Sequence, residues 1–154
     1  MCSISTTVSK SLLLPLYWAN EFIFPLVTIM TESETQKKNL LIVDNSLLIT
    51  ERLIYILREV KTVEQIYFAT DYAECIDLLG KKKVNIVLLD IQLPGKNGFE
   101  LLEYIVKNFQ DTRVVIFSNS VSENYKSRCK KTGAVDFIDK SKDFDLIPGI
   151  ISGL

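Results

Sequence analysis

From residue 40 to the C-terminus, short apolar runs alternate with helix-patterned segments, and all but the second run along the chain end in a polar residue. LLIVD at 40–44, VNIVLLD at 84–90 and RVVIFS at 113–118 are rich in β-branched residues and contain no Gly or Pro. Such runs read as strands buried on both faces of a sheet. EQIYFA at 64–69 and AVDFID at 134–139 complete the set. Between them the spacing turns helical. Ile49, Leu53, Ile56 and Val60 form one apolar face after a cap at Asn45 or Ser46. Asp71 caps a helix with Ala73, Ile76 and Leu78 or Leu79 inward, closed by Gly80 and the solvated lysines 81–83. A third helix runs from Phe99 to about 109 with Leu101, Leu102, Ile105 and Val106 inward. Residues 122–131 form a polar, shallowly packed and mobile helix ended by Gly133, and a last helix spans about 142–151. Five β/α units with short connections predict a doubly wound five-stranded parallel sheet with right-handed crossovers.

The rest of the chain narrows the possibilities. Its 154 residues suit one domain, and a net charge of −1 gives no basic excess to draw it to nucleic acid. Cys2, Cys75 and Cys129 are odd in number and widely spaced, against a disulfide framework or a CxxC metal site; the latter two read as buried thiols. There is no histidine, so any histidine chemistry has to come from a partner. Residues 1–38 stand apart as an N-terminal extension, disordered, weakly packed or absent from the functional protein, with the domain at 39–154. The apolar stretch at 12–30 is interrupted by Pro15, Asn20, Glu21 and Pro25. It has three readings: a segment removed or never translated, with Met30 as the working start; a membrane or partner anchor; or packing on the domain.

The strand ends carry the chemistry. Asp44 and Asn45 follow the first run, Asp90 the third, Ser118 ends the fourth and Lys140 follows the fifth. In an open parallel sheet these ends share the edge where ligands bind. Asp90 is followed by the turn residues Pro94, Gly95, Asn97 and Gly98, too far ahead of the next helix to be its cap. Two carboxylates and an amide oxygen suit Mg²⁺, which shares its shell with phosphate. A hydroxyl and an ammonium opposite suit phosphoryl oxygens. The set points to attack by Asp90 on an activated phosphoryl group, giving an acyl phosphate.

Through LLIVDN, LLDIQLPGKNG, VVIFSN and DFIDKS, in that order, the chain resembles the receiver domain of two-component response regulators. The resemblance implies a flavodoxin-like (β/α)5 fold of strand order 2-1-3-4-5 and a signalling domain in the cytoplasm that is not an enzyme. It implies Asp90 as phosphoacceptor, Ser118 as switch hydroxyl, Lys140 as phosphate-binding lysine and Phe137 as switch aromatic. Asp44, Asn45, Asp90 and the Gln92 backbone carbonyl fall on the Mg²⁺ ligands. The implied partners are a sensor histidine kinase or histidine phosphotransfer protein and a downstream protein target met by the fourth helix, fifth strand and fifth helix. No output domain is expected after Leu154, no nucleic acid, and no membrane contact except through residues 12–30. Three departures stand out. Asn45 replaces a second acidic ligand and weakens Mg²⁺ binding; Asn119 replaces a small residue and narrows access to Asp90; Ser141 replaces a common proline and loosens the turn into the last helix. Asn45 motivates the alternative, a pseudo-receiver binding proteins independently of phosphorylation. A dehalogenase-type phosphohydrolase would want Asp at Ser46, and no nucleotide-binding glycine motif occurs.

Overall fold

The computed structural model describes residues 36–95, 97–119 and 122–154; the readings of the stretch at 12–30 lie outside them. Strands β1 (Lys38–Val43), β2 (Val63–Ala69), β3 (Ile86–Leu89), β4 (Arg113–Ser118) and β5 (Asp136–Asp139) form one parallel sheet of order 2-1-3-4-5. Helices α1 (Leu47–Leu57), α2 (Tyr72–Lys81), α3 (Gly98–Asn108), α4 (Glu123–Thr132) and α5 (Ile147–Gly153) make the connections, with a 3-10 turn at Phe144–Leu146 before α5. The alternation predicts the doubly wound parallel sheet, and the strand order is the flavodoxin-like one that the resemblance implies. No described helix is long and apolar enough to cross a membrane.

Alternate residues of the buried strands feed two cores, as period-two side-chain geometry requires. Leu41, Val43, Val87, Leu89, Val114 and Ile116 pack with α2, α3 and Cys129 of α4 on one face. Leu40, Ile42, Leu88, Val115 and Phe117 pack with α1 and α5 on the other. All four residues of β3 are buried, which is why its sequence is apolar without alternation.

Several helix details differ from the periodicity reading. The buried stripe of α1 is Thr50, Leu53 and Leu57, with Ile49 and Ile56 only at its margins. The buried face is turned away from Ile49 and Ile56, and a threonine lies within it. On α2, Cys75 and Leu79 face the core while Ala73 is exposed, and the helix runs through Gly80 to Lys81. The final helix is split into the 3-10 turn and α5, with Pro148 in the first turn of α5, where its missing N–H costs nothing. Helix α4 buries only Cys129 among its described residues, in keeping with its polar sequence, and ends at Gly133, whose φ of 116° favours glycine.

Candidate functional site

Parallel register brings the strand tips together. Val43 pairs with Leu89 at the ends of β1 and β3, so Asp44 and Asp90 emerge side by side, and Asp90 N–H donates to the Val43 carbonyl at 2.8 Å. Strand β4 runs further: Leu89 pairs with Ile116, Ser118 pairs with Asp139, and Lys140 lies one residue beyond. The tips therefore climb from β1 to β5, and only a long side chain can return from the last to the first. Lys140 does so. Its Nζ donates to Asp44 Oδ2 and to Asp90 Oδ2, each at 2.6 Å, and passes 5.1 Å from the Phe117 ring centroid.

The three side chains are nearly sealed from solvent, with exposures of 8% for Lys140, 1% for Asp44 and 6% for Asp90. Burial is tolerable because each carboxylate has a second partner. Asp44 Oδ1 accepts the Ser46 N–H at 2.8 Å and Asp90 Oδ1 accepts the Gln92 N–H at 3.0 Å. The bond from Ser46 is continuous with the start of α1, where Ser46 itself caps by accepting from Ile49 N–H at 3.4 Å. Asn45 is exposed between these groups. Ser118 is fully buried at the tip of β4, its carbonyl accepting the Lys140 N–H at 3.2 Å. Phe137 is half-buried on β5, with Lys126 Nζ 5.7 Å from its ring. It lines a groove of about 520 Å³ with Glu123, Lys126, Ser127, Lys130, Lys131 and Asp136.

The donor chemistry fits Mg²⁺. Asp44 and Asp90 already hold one hard cation, the ammonium, between two oxygens, and the Asn45 amide and Gln92 carbonyl adjoin them in sequence. Among the described residues no cluster of three acidic or thiol ligands exists, which agrees with an amide at Asn45. Cys75 and Cys129 take no part: burial pushes the Cys75 thiol up to about 12 and raises that of Cys129 too, leaving no thiolate near neutral pH.

Some contributors escaped the sequence reading. The Ser46 and Gln92 N–H groups orient the carboxylates, a task any residue type but proline can perform. Gly98 was legible only as a turn residue, yet a Cβ there would lie 2.5 Å from the Ile91 Cα, and its N–H donates to the Ile91 carbonyl at 3.2 Å. Tyr125 on α4 meets the Phe99 ring edge-on at 4.9 Å. Its hydroxyl pKa is raised by burial first, then by Cys129 and by the charge of Asp90. Ser141 does not leave a loose turn. Its N–H and hydroxyl donate to Asp139 Oδ1 at 2.9 and 2.6 Å, and these bonds hold the Asp139 carboxyl below the usual carboxylate range.

The receiver-domain family model of response regulators matches residues 40–151. The chain belongs to that family. Receiver domains are the signalling modules of two-component systems. The Fimbriae Z protein of Escherichia coli K12 is 32% identical over 120 residues, covering 75% of this chain and 57% of that protein. The sensory transduction protein LytT of Bacillus anthracis is 34% identical over 107 residues, covering 70% and 43%. The response regulator domain of Thermotoga maritima CheB superposes with a TM-score of 0.66 at 28% identity, covering 75% of this chain and 90% of that one. The chain thus spans about half the length of the curated relatives it matches.

Proposed function

We propose that Asp90 accepts a phosphoryl group from a phosphohistidine on a sensor histidine kinase or histidine phosphotransfer protein in the cytoplasm. A carboxylate oxygen of Asp90 bonds to phosphorus, the P–N bond to the donor imidazole breaks, and its electron pair returns to the ring nitrogen. An acyl phosphate is left on Asp90. The observation that carries this reading is the pair of hydrogen bonds that Lys140 Nζ donates to Asp44 and Asp90, each at 2.6 Å. It puts a buried cation beside the acceptor oxygen, where charge builds up as the phosphoryl group arrives. Lys140 and the Ser118 hydroxyl then hold the phosphoryl oxygens. Asp44, Asp90, the Gln92 carbonyl and the Asn45 amide would hold Mg²⁺, which when bound draws charge from those oxygens.

The donor reaches the site beside α1, whose first residues Leu47 and Leu48 are 62% and 76% exposed and offer apolar contact next to the acceptor. Output runs through α4, β5 and α5 to a protein target: Ser118 moving toward the phosphoryl group and Phe137 changing its burial shift the population of that face. Incubation with a small phosphodonor or a phosphohistidine kinase plus Mg²⁺ should raise the intact mass by one phosphoryl group, and Asp90→Asn should abolish the gain. A wild type that takes no label where a control receiver does overturns the proposal. Absence of Mg²⁺ binding at millimolar concentration would then favour the pseudo-receiver.

A further inference from the structure

We propose that Asp139 is a positioning residue for Lys140, acting through Ser141; this rests on the reading of Asp90 as phosphoryl acceptor. A lysine side chain has many rotamers to lose, so placing its ammonium between two carboxylates depends on where its Cα is held. The backbone around Lys140 is closed on both sides. Asp139 Oδ1 accepts the Ser141 N–H at 2.9 Å and the Ser141 hydroxyl at 2.6 Å, a side-chain turn that encloses Lys140. The Lys140 N–H is tied to the Ser118 carbonyl at 3.2 Å, and the Asp139 carbonyl accepts from Lys142 N–H at 3.2 Å and Asp143 N–H at 2.9 Å. Asp139 N–H in turn donates to Asp143 Oδ2 at 3.3 Å.

A second observation separates this from an ordinary turn. Asp139 is 3% exposed and its Oδ2 is buried with no hydrogen-bond partner among the described residues. A buried carboxylate with one unpaired oxygen carries a desolvation cost that exposed turn residues avoid. The bonds from Ser141 outweigh that cost and keep the carboxylate charged, so the turn stays closed around the root of Lys140. Asp139 fixes the root of Lys140 while the bonds to Asp44 and Asp90 fix its tip.

Two readouts test this, one dependent on phosphoryl transfer and one independent of it. With a saturating small phosphodonor and Mg²⁺, Asp139→Ala should slow labelling by on the order of tenfold or more, without weaker Mg²⁺ binding by calorimetry. Asp139→Asn keeps the Oδ1 acceptor and should restore the rate to within about twofold of wild type. Ser141→Ala, which keeps the N–H bond, should fall between. Independently, reductive methylation of Lys140, followed by peptide mass spectrometry at neutral pH, should be several-fold faster in Asp139→Ala than in wild type and slow again in Asp139→Asn. Unchanged methylation in Asp139→Ala overturns the proposal, as does a loss that Asp139→Asn fails to restore. A wild type that takes no label rejects Asp90 as acceptor, whereas the methylation series still reports on Asp139.

Discussion

Asn45 stands where the proposed Mg²⁺ site would otherwise hold a further carboxylate. It is exposed beside two carboxylates sealed around an ammonium. On the proposed Mg²⁺ reading, an amide in place of a carboxylate removes one formal charge next to the ion, worth on the order of a few kcal/mol at an effective dielectric near 20, partly offset by cheaper desolvation. Asn45→Asp should therefore tighten Mg²⁺ binding about tenfold or more, read by calorimetry, and should lower stability in EDTA, where a third carboxylate joins two that already share one ammonium. Equal Mg²⁺ affinity in both proteins would show that the side chain at 45 does not touch the ion. Asp44, Asp90, Ser118 and Lys140 were legible because each stands where an apolar run stops. Asp139 was not, since a carboxylate inside a predicted strand end has no distinguishing pattern until its hydrogen bonds are known.

The element that aims Asp90 is the loop from β3 to α3. Asn97 caps α3 by accepting from Phe99 N–H at 3.0 Å, and Gly98 sits against the backbone of Ile91. Because the obstructing atoms are backbone, a methyl group there cannot be accommodated by a rotamer change. Gly98→Ala should cost about 1–3 kcal/mol in urea unfolding and should also slow phosphorylation, since displacing Ile91 displaces the N–H of Gln92 that orients Asp90. A variant with wild-type stability would mean that the loop relaxes without strain. Sequence reading located the turn from its Gly, Pro and Asn content but could not distinguish a glycine needed for a turn from one needed for close approach. For a similar reason it set the buried face of α1 one residue away from Thr50: hydropathy marks apolar residues, and packing decides which of them face inward.

Across the whole molecule, Lys140 joins residues 96 and 50 positions away, tying the last strand to the first and the central one. Without it, two nearly sealed carboxylates face each other uncompensated. Lys140→Met should lose about 3 kcal/mol of stability in EDTA and regain part of it in millimolar Mg²⁺, because an ion that binds only the folded state stabilises by mass action. Equal urea midpoints for wild type and variant in EDTA would show that the pair is not a net stabilising closure.

The sequence by itself determined the parallel α/β sheet and which residues stand at the strand tips, since burial on both faces demands apolar runs and a run has to end where polar groups meet solvent. Tertiary structure alone decided that the tips climb by register toward β5, so that a lysine's length spans them, and that backbone N–H groups and Asp139 complete the arrangement. Those features depend on distances between segments far apart in the chain, and local pattern carries no measure of them.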